Sequence, residues 1–370
     1  MGEENMTFFQ KILSIPIIPL VLIFIITLMG IVMLVSAANG SFHPWAFKQS
    51  IRFVFGFVVM VGIACIDTRT FFSHAYLVYM FSLIALIIVE IMGFVGMGAQ
   101  RWIDLYVFNF QPSEIMRLGL LLTLARYFHD LSSDEIKQPQ QLLVPIALVL
   151  VPTLLVLRQP DLGTAMLLML SSAAIFFAAG VRLWKFAVVG GSVLAAIPVL
   201  WSMLYDYQKK RILIFLNPES DPTHAGYHII QSKIALGSGG VWGKGFLQGS
   251  QSHLNFLPEK QTDFIFTMFC EEFGLMGAIF LISLYMLIII YNIRIALYAR
   301  TTFMRLVALG LAVTFFLYVF INMAMVTGLL PVVGIPLPLF SYGGTAMLTL
   351  LMSQGILFSI HIHNTVRIGG

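Results

Sequence analysis

Charged side chains are scarce in this chain of 370 residues. Asp, Glu, Lys and Arg make up only 10% of the sequence, whereas 59% is hydrophobic and the mean hydropathy is +0.92. Soluble domains carry about a quarter charged residues, so this composition excludes a soluble globular protein. We therefore predict an all-α polytopic membrane protein, and we treat residues 1–370 as a single integral membrane domain.

Cysteine and clustered basic charge are also nearly absent. The chain has two cysteines, Cys65 and Cys270, and both lie in apolar segments, which favours buried free thiols over a disulfide framework. The net charge of +4 is spread over many loops without a run of lysines, so no nucleic acid is expected as a partner. A cleavable signal peptide is not indicated, because the first apolar run lacks a convincing small-residue cleavage site.

Long apolar runs are what the sequence has in abundance. A helical run of about 20 residues crosses the hydrocarbon core of a bilayer. We predict a bundle of about ten transmembrane helices, with one long structured loop, about residues 205–262, between the seventh and the eighth. The runs are Pro16–Ala38, Ile51–Ile66, Ala75–Val95, Ile115–Phe128, Leu142–Leu157, Leu162–Ala179, Phe186–Leu204, Phe264–Tyr291, Leu306–Gly328 and Ala346–His361.

The distribution of lysine and arginine predicts the orientation. With a cytoplasmic amino terminus, the inner segments hold ten basic residues and the short outer loops hold five. Positive charge is enriched on the cytoplasmic side of membrane proteins. We expect both termini in the cytoplasm and the long loop outside.

The long loop carries its own structural signals. Asp206–Leu216 alternates basic and apolar residues at helical spacing, and Tyr227–Leu236 is a second short helix candidate. Residues 237–249 contain seven glycines or serines in thirteen positions, but the GSGGVWGKG stretch lacks the phosphate-binding G-x-x-x-x-G-K-[ST] pattern. We interpret these glycines as turns that let the backbone approach a membrane surface or a substrate.

Polar residues gather at the predicted outer ends of several helices. Glu271 and Glu272 lie just inside an apolar segment, where an ionisable group indicates function by default. Four further sets are expected to converge on the outer side: Gln100–Arg117 with Glu114 and Arg117 three positions apart, Arg158–Thr164 around Asp161, Asp263 with its neighbours, and the Pro/Gly-rich connection Pro331–Gly344.

Each set also has a structural interpretation. Glu114 and Arg117 could form only a neutralising ion pair, and Asp161 and Asp263 could each cap a following helix. Asn322 could make only an interhelical hydrogen bond. Irregular backbone such as Pro331–Gly344 is tolerated at membrane depth where it lines a cavity or is buried in protein.

Several motifs resemble one family of membrane proteins. The GLLPVVGIPLPLFSYGGTA stretch that follows Asn322 closely resembles the signature of the SEDS family, the RodA, FtsW and SpoVE group. LPEKQTDFIF, QPSEIMR, RQPDLGT and GYHIIQSKIALGSGG are similar to other motifs of that family, and GSQSHLNFLPE resembles its RodA members more than FtsW. The chain departs from the family at Arg117, where lysine is frequent, and at Gln261, where histidine is frequent.

The resemblance implies a fold and an activity. It implies a peptidoglycan glycosyltransferase that polymerises lipid II into glycan strands outside the inner membrane, in complex with a class B penicillin-binding protein, a transpeptidase of the PBP2 type. The likeness to the RodA members implies that it acts during cell elongation. The resemblance also implies an inverting reaction with Asp263 as general base, assisted by Glu114 and Arg117, and a divalent cation, Mg²⁺ or Mn²⁺, at Asp263. We assign substrate binding to Arg101, Trp102, Asp161, Thr164, Lys244, Ser341, Gly343 and Gly344.

Two other function classes remain open. A transporter that flips lipid II would also place polar residues inside a bundle, and a non-catalytic scaffold of the cell-wall machinery would need no site. The gathering of carboxylates at the outer rim argues against a flippase. For the partner-binding surface we predict the eighth and ninth helices, because the small residues Gly310, Ala312, Ala324 and Gly328 permit close helix approach.

Overall fold

The fold is a bundle of α-helices. The computed structural model describes residues 7–92, 94–96, 99–104, 109–203, 209, 213–217, 225–253 and 259–364. A single 3₁₀ turn in these ranges, Gln140–Leu142, precedes α7. The helices are α1 Phe8–Leu13, α2 Ile17–Ala37, α3 Trp45–Ala64, α4 Thr68–Met92, α5 Pro112–His129, α6 Ser133–Ile136, α7 Leu143–Arg158, α8 Leu162–Ala178, α9 Leu183–Met203, α10 Ala225–Ser238, α11 Ser250–His253, α12 Ile265–Tyr298, α13 Thr302–Val326 and α14 Gly344–Ile362.

Each of the ten predicted apolar runs falls in a separate helix, which confirms the helical membrane fold. Seven helices in the described part of the chain are long and apolar enough to cross a membrane, and α8 and α9 are shorter apolar helices. The remaining one, α5, extends from the predicted start at Ile115 back to Pro112 and so includes Glu114. The exact number of crossings stays a prediction.

A small sheet interrupts the helices between α4 and α5. Strands β1 Phe94–Gly96, β2 Ala99–Asp104 and β3 Asn109–Phe110 pair antiparallel in the order β1-β2-β3. The third apolar run was predicted to reach Val95, but α4 ends at Met92 and the chain turns into β1. Strand pairing satisfies backbone groups that a lipid environment would leave without partners.

The last two helices form the centre of the bundle. In α13 and α14, 72% and 78% of the most apolar window is buried, against 28% in each of α3, α4 and α7. A methyl group on Gly310 of α13 would lie 3.0 Å from Ile175 Cδ1 and 3.2 Å from Leu121 Cδ2. The prediction that these small residues form a partner-binding surface is therefore wrong for Gly310, Ala312 and Ala324, because they pack inside the bundle.

Helix α12 is kinked, and the glycine-rich loop packs against the kink. Gly274 has φ 66° and ψ −165°, so the apolar run that the sequence presents as continuous is broken there. The amide nitrogens of Lys244 and Gly245 donate to the carbonyls of Glu271 and Glu272, each at 3.0 Å. A Cβ on Gly243 would lie 2.1 Å from the Glu272 carbonyl oxygen. The glycines thus let two backbones meet, whereas the sequence suggested an approach to a membrane surface or a substrate.

The remaining loop predictions have mixed outcomes. The helix expected at Tyr227–Leu236 is confirmed as α10. The amphipathic helix expected at Asp206–Leu216 lies largely outside the described residues, which include only 209 and 213–217 of that neighbourhood.

Candidate active site

Asp263 lies in a turn at the entrance to α12. The helix begins at Ile265 with Phe264 as its N-cap, so the capping interpretation of Asp263 is not supported. The residue is half-buried. The side-chain amide of Asn322 on α13 donates to the Asp263 carbonyl at 3.1 Å and to the Ile335 carbonyl at 2.7 Å. Asn322 therefore fixes the backbone of Asp263 against the segment that precedes α14.

The connection between α13 and α14 packs along the turn that holds Asp263. Ser341 Oγ donates to the Thr262 carbonyl at 2.7 Å, and the Tyr342 amide donates to the Gln261 carbonyl at 2.9 Å. A Cβ on Gly334 would lie 3.6 Å from Asp263 Oδ2. This irregular backbone is stabilised by contacts with protein, the condition under which such backbone is tolerated in a membrane protein.

Lys260 lies in the same turn, at its other end. Its side chain is buried, and burial lowers the pKa of its ammonium group. A cationic residue with a lowered pKa therefore accompanies the Asp263 carboxylate on this short segment.

Asp161 caps α8 and joins it to the small sheet. Its Oδ1 accepts from the Thr164 amide at 3.1 Å and its Oδ2 from the Thr164 hydroxyl at 2.9 Å, so the capping interpretation is confirmed. Asp161 Oδ2 also lies 3.7 Å from Arg101 Nη1 and accepts from Gln111 Nε2 at 3.3 Å. Trp102, next to Arg101 on β2, is half-buried.

A close backbone contact connects this region to Asp263. A Cβ on Gly163 would lie only 2.8 Å from the Val333 carbonyl oxygen, so the start of α8 touches the connection before α14. That connection in turn lies against Asp263 at Gly334. The four polar sets singled out in the sequence therefore converge at one end of the bundle.

Glu114 and Arg117 form a buried cluster with two residues from other helices. Arg117 Nη2 lies 2.8 Å from Glu114 Oε2, and the side chains are 0% and 5% exposed. Tyr318 on α13 donates to Glu114 Oε1 at 2.7 Å, and Thr349 on α14 donates to Oε2 at 2.8 Å. Arg117 also donates to the Tyr318 hydroxyl and lies over its ring, 4.6 Å from the centroid. The cluster neutralises both charges and binds three helices together.

The remaining carboxylates near the kink have structural partners. Glu271 is fully buried and its Oε1 accepts from Lys244 Nζ at 2.7 Å and from the Gln251 amide at 2.9 Å. Glu272 accepts a hydrogen bond from Ser36 on α2. Lys244, predicted to bind substrate, thus also forms an ion pair that holds the glycine-rich loop on α12; its role with substrate stays a prediction.

Sequence reasoning missed several residues of this region. Tyr318 and Thr349 lie in apolar helices, and apart from their hydroxyl groups nothing in the sequence indicates that they belong to the site. Arg52 on α3 was counted only for topology, yet its guanidinium lies 4.6 Å from the centroid of the Tyr342 ring. A Cβ on Gly344, the first residue of α14, would be 3.4 Å from Arg52 Cζ. Arg52 Nη1 is buried without a hydrogen-bond partner among the described residues.

The described residues do not form a closed metal cage. Within the parts of the chain that the structure describes, no group of three or more His, Cys, Asp or Glu side chains is placed to hold an ion. Among these side chains of the described residues, Asp263 is therefore not one of three that could hold a cation together. Mg²⁺ is commonly bound through one or two carboxylates and substrate phosphates.

The fold and the site together define a polytopic membrane protein whose candidate catalytic residues lie at one end of its helical bundle, in the Asp263 turn and the segments packed on it. The cell cycle protein family of FtsW, RodA and SpoVE matches residues 13–366. The chain therefore belongs to this family.

Individual relatives are similar in sequence to this protein along most of its length. The peptidoglycan glycosyltransferase MrdB of Escherichia coli K12 is 44% identical over 98% of this chain and 97% of its own length. A probable peptidoglycan glycosyltransferase FtsW of Geobacter sulfurreducens is 38% identical over 90% of this chain and 92% of its own.

Solved structures show the same fold. A chain of a peptidoglycan synthase complex that coordinates polymerization and crosslinking superposes with a TM-score of 0.81 at 30% identity, covering 94% of this chain and 97% of that one. The rod shape determining protein RodA of Thermus thermophilus superposes with a TM-score of 0.71 at 26% identity, with 94% and 97% covered.

Proposed function

We propose that this chain is a peptidoglycan glycosyltransferase that polymerises lipid II into glycan strands at the outer face of the inner membrane during cell elongation. The observation that carries the proposal is the Asp263 turn, where Asn322 holds the backbone carbonyl of the half-buried Asp263 at the meeting point of four polar segments. The names of relatives at 44% and 38% identity support the reaction class. A site at one rim of the bundle suits a substrate with a lipid tail and a polar head.

Asp263 acts as the general base in this proposal. The 4-hydroxyl oxygen of an acceptor sugar forms a bond to the anomeric carbon of the lipid-linked donor, and its proton passes to the Asp263 carboxylate. The bond from that carbon to the diphosphate oxygen breaks with inversion, and undecaprenyl diphosphate leaves with the electron pair. A positioned general base contributes about 10²- to 10⁴-fold in rate.

Cationic groups and backbone amides stabilise the leaving diphosphate. Arg101 has a side chain that is 23% exposed and can reach a ligand, and Arg52 lies against the start of α14 at Gly344. A helix N-terminus favours an anion, so Gly343 and Gly344 belong to the same subsite. Trp102, Asp161, Thr164, Lys244 and Ser341 complete the proposed substrate contacts.

Arg117 acts from within the protein in this proposal. Its side chain has no exposed surface, so we assign it and Glu114 to positioning α5 against α13 and α14. A divalent cation, Mg²⁺ or Mn²⁺, would be held by Asp263 and by substrate oxygens and would supply charge neutralisation for the diphosphate.

The proposed partner is a class B penicillin-binding protein, supported by the superposition on a chain of a peptidoglycan synthase complex. The proposed location is the inner membrane with both termini in the cytoplasm. It is supported by the basic residues in the inner segments, and by the start of α2 and the end of α14, which line one cavity at the same end of the bundle.

The deciding experiment measures polymerisation of labelled lipid II by the purified chain, with and without the penicillin-binding protein. Asp263→Asn should lower the rate by about 10²-fold or more, because an amide cannot accept the proton of the attacking hydroxyl. It should leave the melting temperature and partner binding unchanged, since Asp263 does not cap α12. Asp263→Glu is the control that keeps the charge but displaces the carboxylate.

The same assay separates the rival functions. A flippase or a scaffold would give no polymer with wild-type protein, and a flippase would move lipid II across proteoliposome membranes. Near-normal polymer from Asp263→Asn would refute Asp263 as the base and leave the glycosyltransferase assignment standing.

A further inference from the structure

A cavity of about 620 Å³ lies at the end of the bundle opposite Asp263. It is formed by the start of α2, the end of α12 and the end of α14. From Gly274 to Arg294 the helix α12 rises about 30 Å at about 1.5 Å per residue, so the cavity is separate from the proposed active site. A ligand here would not take part in glycosyl transfer.

The polar side of the cavity is cationic. Arg294, Arg300 and His361 contribute to its lining, and among the described residues no Asp or Glu does. The Arg294 guanidinium lies 5.7 Å from the centroid of the Tyr298 ring, and no carboxylate of the described chain pairs with Arg294 or Arg300. Two positive charges in one concavity, with no counter-ion from the part of the chain that the structure describes, favour an anionic ligand.

The rim of the cavity is structurally defined. The Arg300 amide donates to Asn364 Oδ1 at 3.0 Å, and Asn364 Nδ2 donates to the Tyr298 carbonyl at 2.9 Å. These two bonds join the end of α14 to the end of α12. The basic side chains therefore project from a fixed frame.

The rest of the cavity lining includes apolar residues. Ile18 on α2, Ile295 on α12 and Ile360 on α14 contribute to it; Ile18 is 61% exposed, whereas Ile295 and Ile360 are 5% and 2% exposed. A free inorganic anion would gain nothing from these isoleucines. A molecule with an anionic head and hydrocarbon chains fits both parts of the lining.

Basic residues at helix C-termini also have a simpler explanation. They complement the partial negative charge there, about half an elementary charge per helix, and they accumulate on the cytoplasmic side of membrane proteins. Neither effect requires a concave site with an isoleucine wall between three helices. Basic pockets between transmembrane helices are typical binding sites for anionic lipid headgroups.

We propose that this cavity binds an acidic phospholipid from the leaflet on the side of the chain termini. The phosphate group contacts the guanidinium groups of Arg294 and Arg300, and an acyl chain lies on the exposed side chain of Ile18, next to the mostly buried Ile295 and Ile360. The ligand is a structural lipid that joins α2, α12 and α14 at their ends.

The test is native mass spectrometry of the purified full-length chain, titrated with phosphatidylglycerol or with phosphatidylcholine. Wild-type protein should bind phosphatidylglycerol selectively. The double variant Arg294→Gln/Arg300→Gln should bind it roughly 25-fold more weakly, at about fivefold for each basic residue removed. The matched control Arg182→Gln/Lys185→Gln removes one basic residue from the connection between α8 and α9 and one from the first turn of α9. Both lie outside the cavity, so this variant should bind as wild type does.

Two further measurements separate loss of the lipid site from loss of folding and from binding of free phosphate. Arg294→Lys/Arg300→Lys keeps the charge and should retain most of the binding, so a loss in the glutamine variant with its melting temperature intact reports on the site itself. Inorganic phosphate at millimolar concentration should not displace the lipid. Equal weakening in both glutamine variants, equal binding of the two lipids, or displacement by inorganic phosphate would each overturn the proposal.

Discussion

Glu114–Arg117 and Asp134–Lys137 are ion pairs with the same sequence spacing and nearly the same geometry. Both join residues three positions apart, at 2.8 Å on α5 and at 2.7 Å beside α6. Their surroundings differ. The side chains of the first pair are 5% and 0% exposed, whereas those of Asp134 and Lys137 are 90% and 45% exposed.

The environment of an ion pair, rather than the distance between its atoms, decides how much the pair matters for stability. The buried pair has lost its hydration and relies on Tyr318 and Thr349 to satisfy the Glu114 oxygens. The exposed pair keeps its water. The Lys137 ammonium still lowers the pKa of the Asp134 carboxyl, through a hydrogen bond and its charge, but such surface pairs contribute little to stability.

Breaking the buried pair should have the largest effect. Glu114→Gln leaves the Arg117 charge uncompensated in the bundle, and we expect it to lower the free energy of unfolding by about 3–5 kcal/mol. The double variant Glu114→Gln/Arg117→Gln removes both charges and should be destabilised by clearly less than the sum of the two single variants. Reversible unfolding in mixed detergent measures all three, and strictly additive losses would contradict a coupled pair.

Removing one hydrogen-bonding group from the buried cluster should have an effect of intermediate size on the free energy of unfolding. Tyr318→Phe deletes the hydroxyl that donates to Glu114 and accepts from Arg117, and should cost about 1–3 kcal/mol of unfolding free energy. Tyr285→Phe is the matched control, since that hydroxyl donates at 2.7 Å to the neutral carbonyl of Pro338. Tyr285 is equally buried, so a loss as large as that of Tyr318→Phe would mean that the charged partner adds nothing.

The exposed pair should give the smallest effect. Asp134→Asn removes the charge that Lys137 contacts, and the melting temperature should not change measurably at physiological ionic strength, where solvent and salt screen the pair. A clear drop in melting temperature would show that the α6 region contributes to stability through this contact. The two pairs would then not differ in the way that their exposure predicts.

Local sequence patterns predicted much of the fold and part of the site. The ten apolar runs each became a helix, and the segments around Asp161, Asp263 and Ser341 were identified as converging. The sheet between α4 and α5 was missed, because its strands are short and follow an apolar run without a clear break. The kink at Gly274 was missed because a glycine inside an apolar helix does not by itself indicate positive φ.

The class of protein follows from the apolar runs alone, since a lipid environment requires every backbone polar group to be satisfied within helices or closed sheets, and that requirement acts locally. Which helix faces meet could not be predicted from these runs and is set by packing between distant segments. Tyr318 and Thr349 reach Glu114 from 204 and 235 positions away, and Gly310 and Ala324 face inward. Helices that are apolar on all sides have little polar contrast to set their rotation, so packing against neighbours decides it.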